Sequence, residues 1–133
     1  MVRERVSTTP DWYEPYAISQ AVRVGDLVFA SGQAGFDENG RTVGDDFESQ
    51  ARQAFANLGR VLEEAGSSLA DAVKVTILVT DLAPNLETVI RLRREFFTEP
   101  YPADTLLEVS RLAQPDWLVE IDATAVVSRP ESP

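Results

Sequence analysis

The sequence predicts an α+β domain, a two-layer sandwich in which two helices cover one face of a mixed β-sheet. Three observations carry that prediction. β-rich runs and amphipathic stretches follow one another as two or three strands, helix, strand, helix, strand, strand. Both helical stretches repeat apolar residues at steps of three and four. The chain has 133 residues, 44% of them hydrophobic and 26% charged, with no internal repeat and no linker, which suits a single domain over residues 1–133.

A polar opening marked by Thr9, Pro10 and Pro15 leads into AVRVGDLVFA, Ala21 to Ala30, two β-rich runs joined by Gly25-Asp26 and therefore a hairpin. Ser31-Gly32-Gln33-Ala34-Gly35 follows directly. Two glycines beyond a strand either let the backbone approach a ligand closely or form a bulge that closes the strand. Asp37 to Gly40 reads as a turn, and Gly44-Asp45-Asp46 starts a helix, because an aspartate there accepts from first-turn amides. From Phe47 to Ala65 the apolar set Phe47, Ala51, Ala54, Phe55, Leu58, Val61, Leu62, Ala65 lies on one helical face, and Gly66 ends the helix. Asp71 to Thr80 is almost continuous in Val, Ile, Leu and Thr, as expected of a central strand covered on both faces. Pro84 fits a first helical position, and Leu86, Val89, Ile90, Arg93, Phe96 and Phe97 continue at helical spacing until Pro100. Thr105 to Val109 and Leu118 to Val127 are the closing strands, and Arg129 to Pro133 is a frayed tail. Apolar residues on the second face of this sheet find no third layer in 133 residues, so burial against identical subunits is expected.

Composition removes several chemistries. There is no Cys and no His, hence no thiol nucleophile, no imidazole base and no zinc site of the usual kind. Any reaction runs on carboxylates, hydroxyls, arginines, the lone Lys74 or backbone amides. Twelve basic against 22 acidic residues give a net charge of −10, which opposes nucleic-acid binding. No apolar run reaches the roughly 18 residues of a membrane span. A soluble, cytoplasmic protein is expected.

Taken together and in order, several strings resemble the RidA/YjgF family of small deaminases. They are Pro15-Tyr16, VFASGQ from Val28 to Gln33, QARQAFANLGRVLEEAG from Gln50 to Gly66, VKVTILVTDL from Val73 to Leu82, EFFTE from Glu95 to Glu99, and YPADTLLEVSRL followed by VEIDATAV. The resemblance spans nearly the whole chain. It implies a chorismate-mutase-like fold, a homotrimer with a barrel-like core, small-molecule clefts between subunits, and hydrolysis of reactive enamines and imines such as 2-aminoacrylate without a cofactor or metal. By the same resemblance Glu120 holds the attacking water, Tyr16 lines the cleft, and Ser31 and Gly32 form its backbone wall.

One departure stands out. The arginine that grips the substrate carboxylate in the family is replaced by Asp104 in Pro102-Ala103-Asp104-Thr105, Leu106 stands where a cysteine or threonine is usual, and Ile90 replaces an asparagine. A unit charge pair at about 4 Å near a surface is worth roughly 4 kcal/mol, so an aspartate facing the carboxylate predicts poor 2-aminoacrylate turnover. Arg111, Arg91 or Arg94 could supply the lost charge; Arg111 lies on the same segment, although the family gives it a structural role. Asp104 and Glu120 either share one cleft, splitting their pKa values into an acid and a base, or Asp104 simply caps a turn or pairs with an arginine. Lys74 within a strand, Trp12 and Trp117 as packing anchors, and Arg91, Arg93 and Arg94 as a solvated or subunit-facing cluster complete the candidates. Two functional readings stand: a RidA-like hydrolase with altered specificity, or a non-catalytic trimer that binds a small molecule or regulates. A ribonuclease reading fits the charge least.

Overall fold

The computed structural model describes residues 1–128, so the tail predicted at 129–133 lies outside the described residues. Six strands form one sheet: β1 (Arg3–Val6), β2 (Ala21–Val24), β3 (Leu27–Ala34), β4 (Ala72–Val79), β5 (Ala103–Glu108) and β6 (Val119–Val126). Their order is β1-β2-β3-β6-β4-β5, antiparallel throughout except for the parallel pair β4 and β5. Helices α1 (Phe47–Glu64) and α2 (Leu86–Phe96) pack on one face. This is the predicted α+β sandwich.

The helix ends follow from the residues predicted to set them. Asp46 caps α1 by accepting from the Ser49 amide at 2.9 Å. Gly66, at φ +85°, reverses the chain, and the Gly66 and Ser67 amides return to the carbonyls of Glu63 and Leu62. Pro84 opens a short 3₁₀ turn, Ala83–Asn85, that leads into α2. The core gathers Phe55, Leu58 and Leu62 from α1, Val89 and Leu92 from α2, and Val28, Val75, Ile77, Val79 and Ile121 from the sheet. Phe55 stacks on Phe96 at 4.7 Å between centroids and meets Phe97 edge-on at 5.4 Å, which locks the two helices together. On the surface of that seam, Glu48 pairs with Arg52 and Arg91, and Arg52 also grips Glu95. The Arg91 guanidinium, first of all, holds the Glu48 carboxyl at about 2.

The opening segment contains the third of the two or three strands expected before the first helix, the edge strand β1, which RERV conceals because it offers almost no apolar residue. Within a single chain the strand at 72–79 is covered on one face: its side chains alternate between buried and open, and Val73 and Lys74 are exposed. The open face is the one that also carries Leu27, Phe29, Leu107 and Val126, all exposed. A purely local pattern of Val, Ile and Leu does not tell which of two apolar faces its own chain will cover.

Gly35 sits where α1 touches the end of β3. A Cβ there would lie 2.5 Å from the Gln50 carbonyl oxygen and 2.7 Å from its Cα, both backbone atoms that cannot swing aside. Gly35→Ala is expected to lower unfolding free energy by about 2–3 kcal/mol in urea titrations. Gly59→Ala within α1 meets only the Leu69 side chain, at 3.3 Å, and gains helix propensity. It is expected to stay within about 1 kcal/mol of wild type.

Candidate functional site

The site is built around an irregularity in one strand. Along the β3–β6 ladder, Ala30 faces Ala123 while Gln33 faces Ile121, so β3 takes three steps against two on β6. The additional residue makes Ser31-Gly32 a β-bulge. On the other side of β3, the Ser31 amide continues the β2 register by donating to the Gln20 carbonyl at 2.8 Å, and the Ser31 hydroxyl donates to the Ser19 carbonyl at 2.6 Å. The Gly32 carbonyl accepts from the Tyr13 hydroxyl. Of the readings offered for the two glycines, the bulge holds, and a side chain of the same chain comes close to it.

What approaches is Glu120. Its neighbours Val119 and Ile121 are buried in the core, which sends the Glu120 side chain to the opposite face, over the bulge. A Cβ at residue 32 would stand 2.6 Å from the Glu120 carboxyl carbon and 2.8 Å from Oε2, so only glycine leaves room for that carboxylate. Burial raises the Glu120 pKa above the ordinary carboxylate value, and the Asp122 charge on the same face raises it further. The Tyr13 hydroxyl is pushed upward as well, by burial first and then by Glu120 and Asp11, and so remains a protonated donor.

Around Glu120 opens a cleft of about 880 Å³. Ser31, Gly32 and Glu120 line it, and Trp12, Tyr16, Ile18 and Trp117 add apolar surface. Buried amides fix its walls. Gln50, 1% exposed, donates to the Asp116 carbonyl at 3.0 Å and accepts from the Leu118 amide at 2.8 Å, tying the Trp117 loop to α1. Gln20 accepts from Thr8 and donates to Asp11 at 3.0 Å, while Asp11 also pairs with Arg5, which holds the segment bearing Trp12 and Tyr13.

Four of the predicted site residues thus meet: Tyr16, Ser31, Gly32 and Glu120. Asp104 does not join them. In the β4–β5 register it stands opposite Val75, a core residue under the helices, whereas Glu120 shares its face with Leu78 and Leu107. The Asp104 carboxylate accepts two hydrogen bonds from the Arg93 guanidinium, at 2.9 and 2.7 Å, and both side chains are partly buried. Of the two readings offered for Asp104, pairing with an arginine is the one that holds: the parity of β5 turns Asp104 toward α2 and away from the Glu120 of its own chain, and the ion pair offsets the charge expected to repel a carboxylate. Arg93 is correspondingly not part of a solvated cluster. Arg111 bends back on its own loop, donating to the Leu112 carbonyl at 3.1 Å and the Ala113 carbonyl at 3.3 Å, and is not part of the cleft lining. Lys74 donates to Thr105, and Arg91 is held by Glu48. Sequence reasoning missed Tyr13, Phe36 and Arg41, all of which line the cleft. Arg41 directly follows the predicted turn at 37–40, but nothing local marks it as part of the cleft lining.

A small α+β sandwich with a partly desolvated carboxylate over a glycine bulge defines a recognisable class. Residues 7–127 match the family model described as Endoribonuclease L-PSP. A RutC family protein of Pyrococcus abyssi is 39% identical over 128 residues, 94% of this chain and 98% of its own. The 2-iminobutanoate/2-iminopropanoate deaminase of Salmonella typhimurium is 39% identical over 115 residues, 84% of this chain and 87% of that protein. Among solved structures, a YjgF/YER057c/UK114 family member from Mycobacterium tuberculosis superposes with a TM-score of 0.81 at 34% identity, covering 95% of this chain and all of that one. The chain belongs to the RidA/YjgF family.

The Asp104–Arg93 pair yields a prediction. Asp104→Ala strands a half-buried guanidinium and is expected to lower stability by about 1–2 kcal/mol. In a double-mutant cycle with Arg93→Ala the two losses should be strongly non-additive. Independent, additive losses would show that Asp104 serves something other than Arg93.

Proposed function

We propose that this chain hydrolyses imino acids and their enamine tautomers to 2-keto acids and ammonia, as a homotrimer whose clefts lie between subunits. The observation that carries the reading is the Glu120 carboxylate, seated over Gly32 in the cleft with its proton affinity raised by burial. A base that both takes and returns a proton works best when its pKa approaches the working pH. Water held by Glu120 adds to the C=N carbon while its proton passes to the carboxylate. That proton is delivered to nitrogen to give the carbinolamine. The carboxylate then takes the hydroxyl proton as the C=O bond forms and passes it to the same nitrogen, which leaves as ammonia when the C–N bond breaks. An enamine first tautomerises, taking a proton on carbon and releasing one from nitrogen to become the imine. The Tyr13 hydroxyl stays protonated and, by donating to the Gly32 carbonyl, holds the bulge rigid beneath the reacting water.

The named activity of the Salmonella relative supports this chemistry. A ribonuclease role is disfavoured by a net charge of −10 and by the absence of histidine. The trimer is supported by the exposed strip of Leu27, Phe29, Leu107 and Val126, apolar surface that a neighbouring copy would cover. Specificity departs from that of a carboxylate-gripping arginine at 104, because the aspartate there is already committed to Arg93.

The test uses imines generated from neutral, basic and acidic amino acids. At least one is expected to release ammonia well above the uncatalysed rate, and Glu120→Gln to reduce that rate by about 10²-fold or more. Stability should move the other way. A carboxyl whose pKa is raised by folding favours the native state only while protonated, and that benefit is lost as pH rises through the folded pKa. Glu120→Gln should therefore melt higher than wild type at pH 7.5, with the difference vanishing toward pH 4. Absence of turnover on every imine would refute the proposal.

A further inference from the structure

Accepting that the cleft handles imino acids, we infer that its preferred substrate carries an aromatic or similarly large apolar side chain, with its carboxylate held by Arg41. The first argument is the lining. Trp12 and Tyr16 leave 38% and 70% of their surfaces open, and Trp117 and Phe36 form a stacked pair at 6.1 Å and 29°. Tyr13 meets Phe36 edge-on at 6.0 Å, so the floor is an array of rings in fixed mutual orientation. Gly40, at φ +75°, brings its Cα close enough that a Cβ would touch the Trp12 indole at 3.1 Å, which seats that ring against the turn before Arg41. Rings held in this way bind a flat apolar group with little ordering cost, because the aromatic contacts are already positioned. The second argument is room: a single chain offers about 880 Å³ around these rings, within the range of pockets for drug-sized ligands before a neighbouring copy takes its share.

Charge supplies the orientation. Arg41 is the single cation of the lining, against the carboxylates of Glu120 and Asp116. Its backbone is clamped, its amide donating to the Asp37 carboxylate at 3.0 Å and its carbonyl accepting from the Asp37 amide at 2.8 Å. Among the described residues its guanidinium makes no salt bridge and no hydrogen bond, whereas Arg5, Arg52, Arg91 and Arg93 are each paired with a carboxylate. An unpaired guanidinium on a clamped backbone, in the cleft that holds the reacting carboxylate, fits a substrate with an anionic end and an apolar end.

Two measurements test this separately from the deaminase reading. In the first, imines released from L-phenylalanine and L-alanine by an L-amino-acid oxidase are compared; kcat/KM for the phenylalanine imine should be at least tenfold higher. In the second, phenylpyruvate and pyruvate are titrated against the fluorescence of Trp12 and Trp117, the only two tryptophans. Phenylpyruvate should quench with at least tenfold tighter binding. Arg41→Gln should weaken phenylpyruvate binding at least tenfold, leave the melting temperature unchanged, and leave binding of uncharged phenylacetamide unchanged. Turnover of the alanine imine without preference for the phenylalanine one, or phenylpyruvate binding indifferent to Arg41→Gln, overturns the inference while the deaminase reading stands. Arg41-dependent phenylpyruvate binding with no turnover of any imine upholds the ligand class and removes the deaminase.

Discussion

One additional residue in β3 governs the functional end of the molecule. Without the bulge at Ser31-Gly32, β3 and β6 would pair in unbroken register and the face of residue 32 would be a continuous ladder. With it, the Gly32 carbonyl turns to Tyr13, and the absent Cβ leaves a seat for the Glu120 carboxylate. A carboxylate seated in this way is partly withdrawn from water, and desolvation makes it a better proton carrier near neutral pH. The same withdrawal opposes folding, so the reactive group is a local liability carried by the core beneath it.

That core holds the cleft open by polar means as well as apolar ones. Gln20, Gln33 and Gln50 are buried, and Gln20 and Gln50 use both donor and acceptor. Gln50 matters most. It rises from the helix whose Gln50 backbone also meets Gly35, and its amide reaches both sides of the Trp117 loop. Packing of α1 on the sheet and the placement of an aromatic wall are therefore one event. A buried amide with donor and acceptor both satisfied specifies geometry that apolar packing alone leaves loose.

Much of the fold was legible because it rests on periodicity and punctuation. The three-and-four spacing from Phe47 to Ala65, the Asp46 cap and Gly66 define α1, and Gly25-Asp26 defines the hairpin. What escaped depends on information that no local window holds. β1 is drawn into the sheet by pairing with β2, despite a charged sequence. The face occupied by Asp104 follows from the β4–β5 register, and a shift of one residue would have turned it toward Glu120. Tyr16, Ser31, Gly32 and Glu120, gathered by family resemblance, line one cleft. Which arginine the Asp104 carboxylate meets could not be read in advance, because that partner is set by how α2 packs beside β5.

The account stands or falls on the environment of Glu120. Its carboxyl can be followed by carbon-detected NMR titration of selectively labelled protein, in wild type and in Asp122→Asn. The titration midpoint is expected above that of an ordinary glutamate, about 4.3, and removing the Asp122 charge should lower it only part of the way, since burial is the larger cause. A midpoint at or below the ordinary value would contradict the account, for it would mean that the bulge displays a solvated carboxylate with no special hold on a proton.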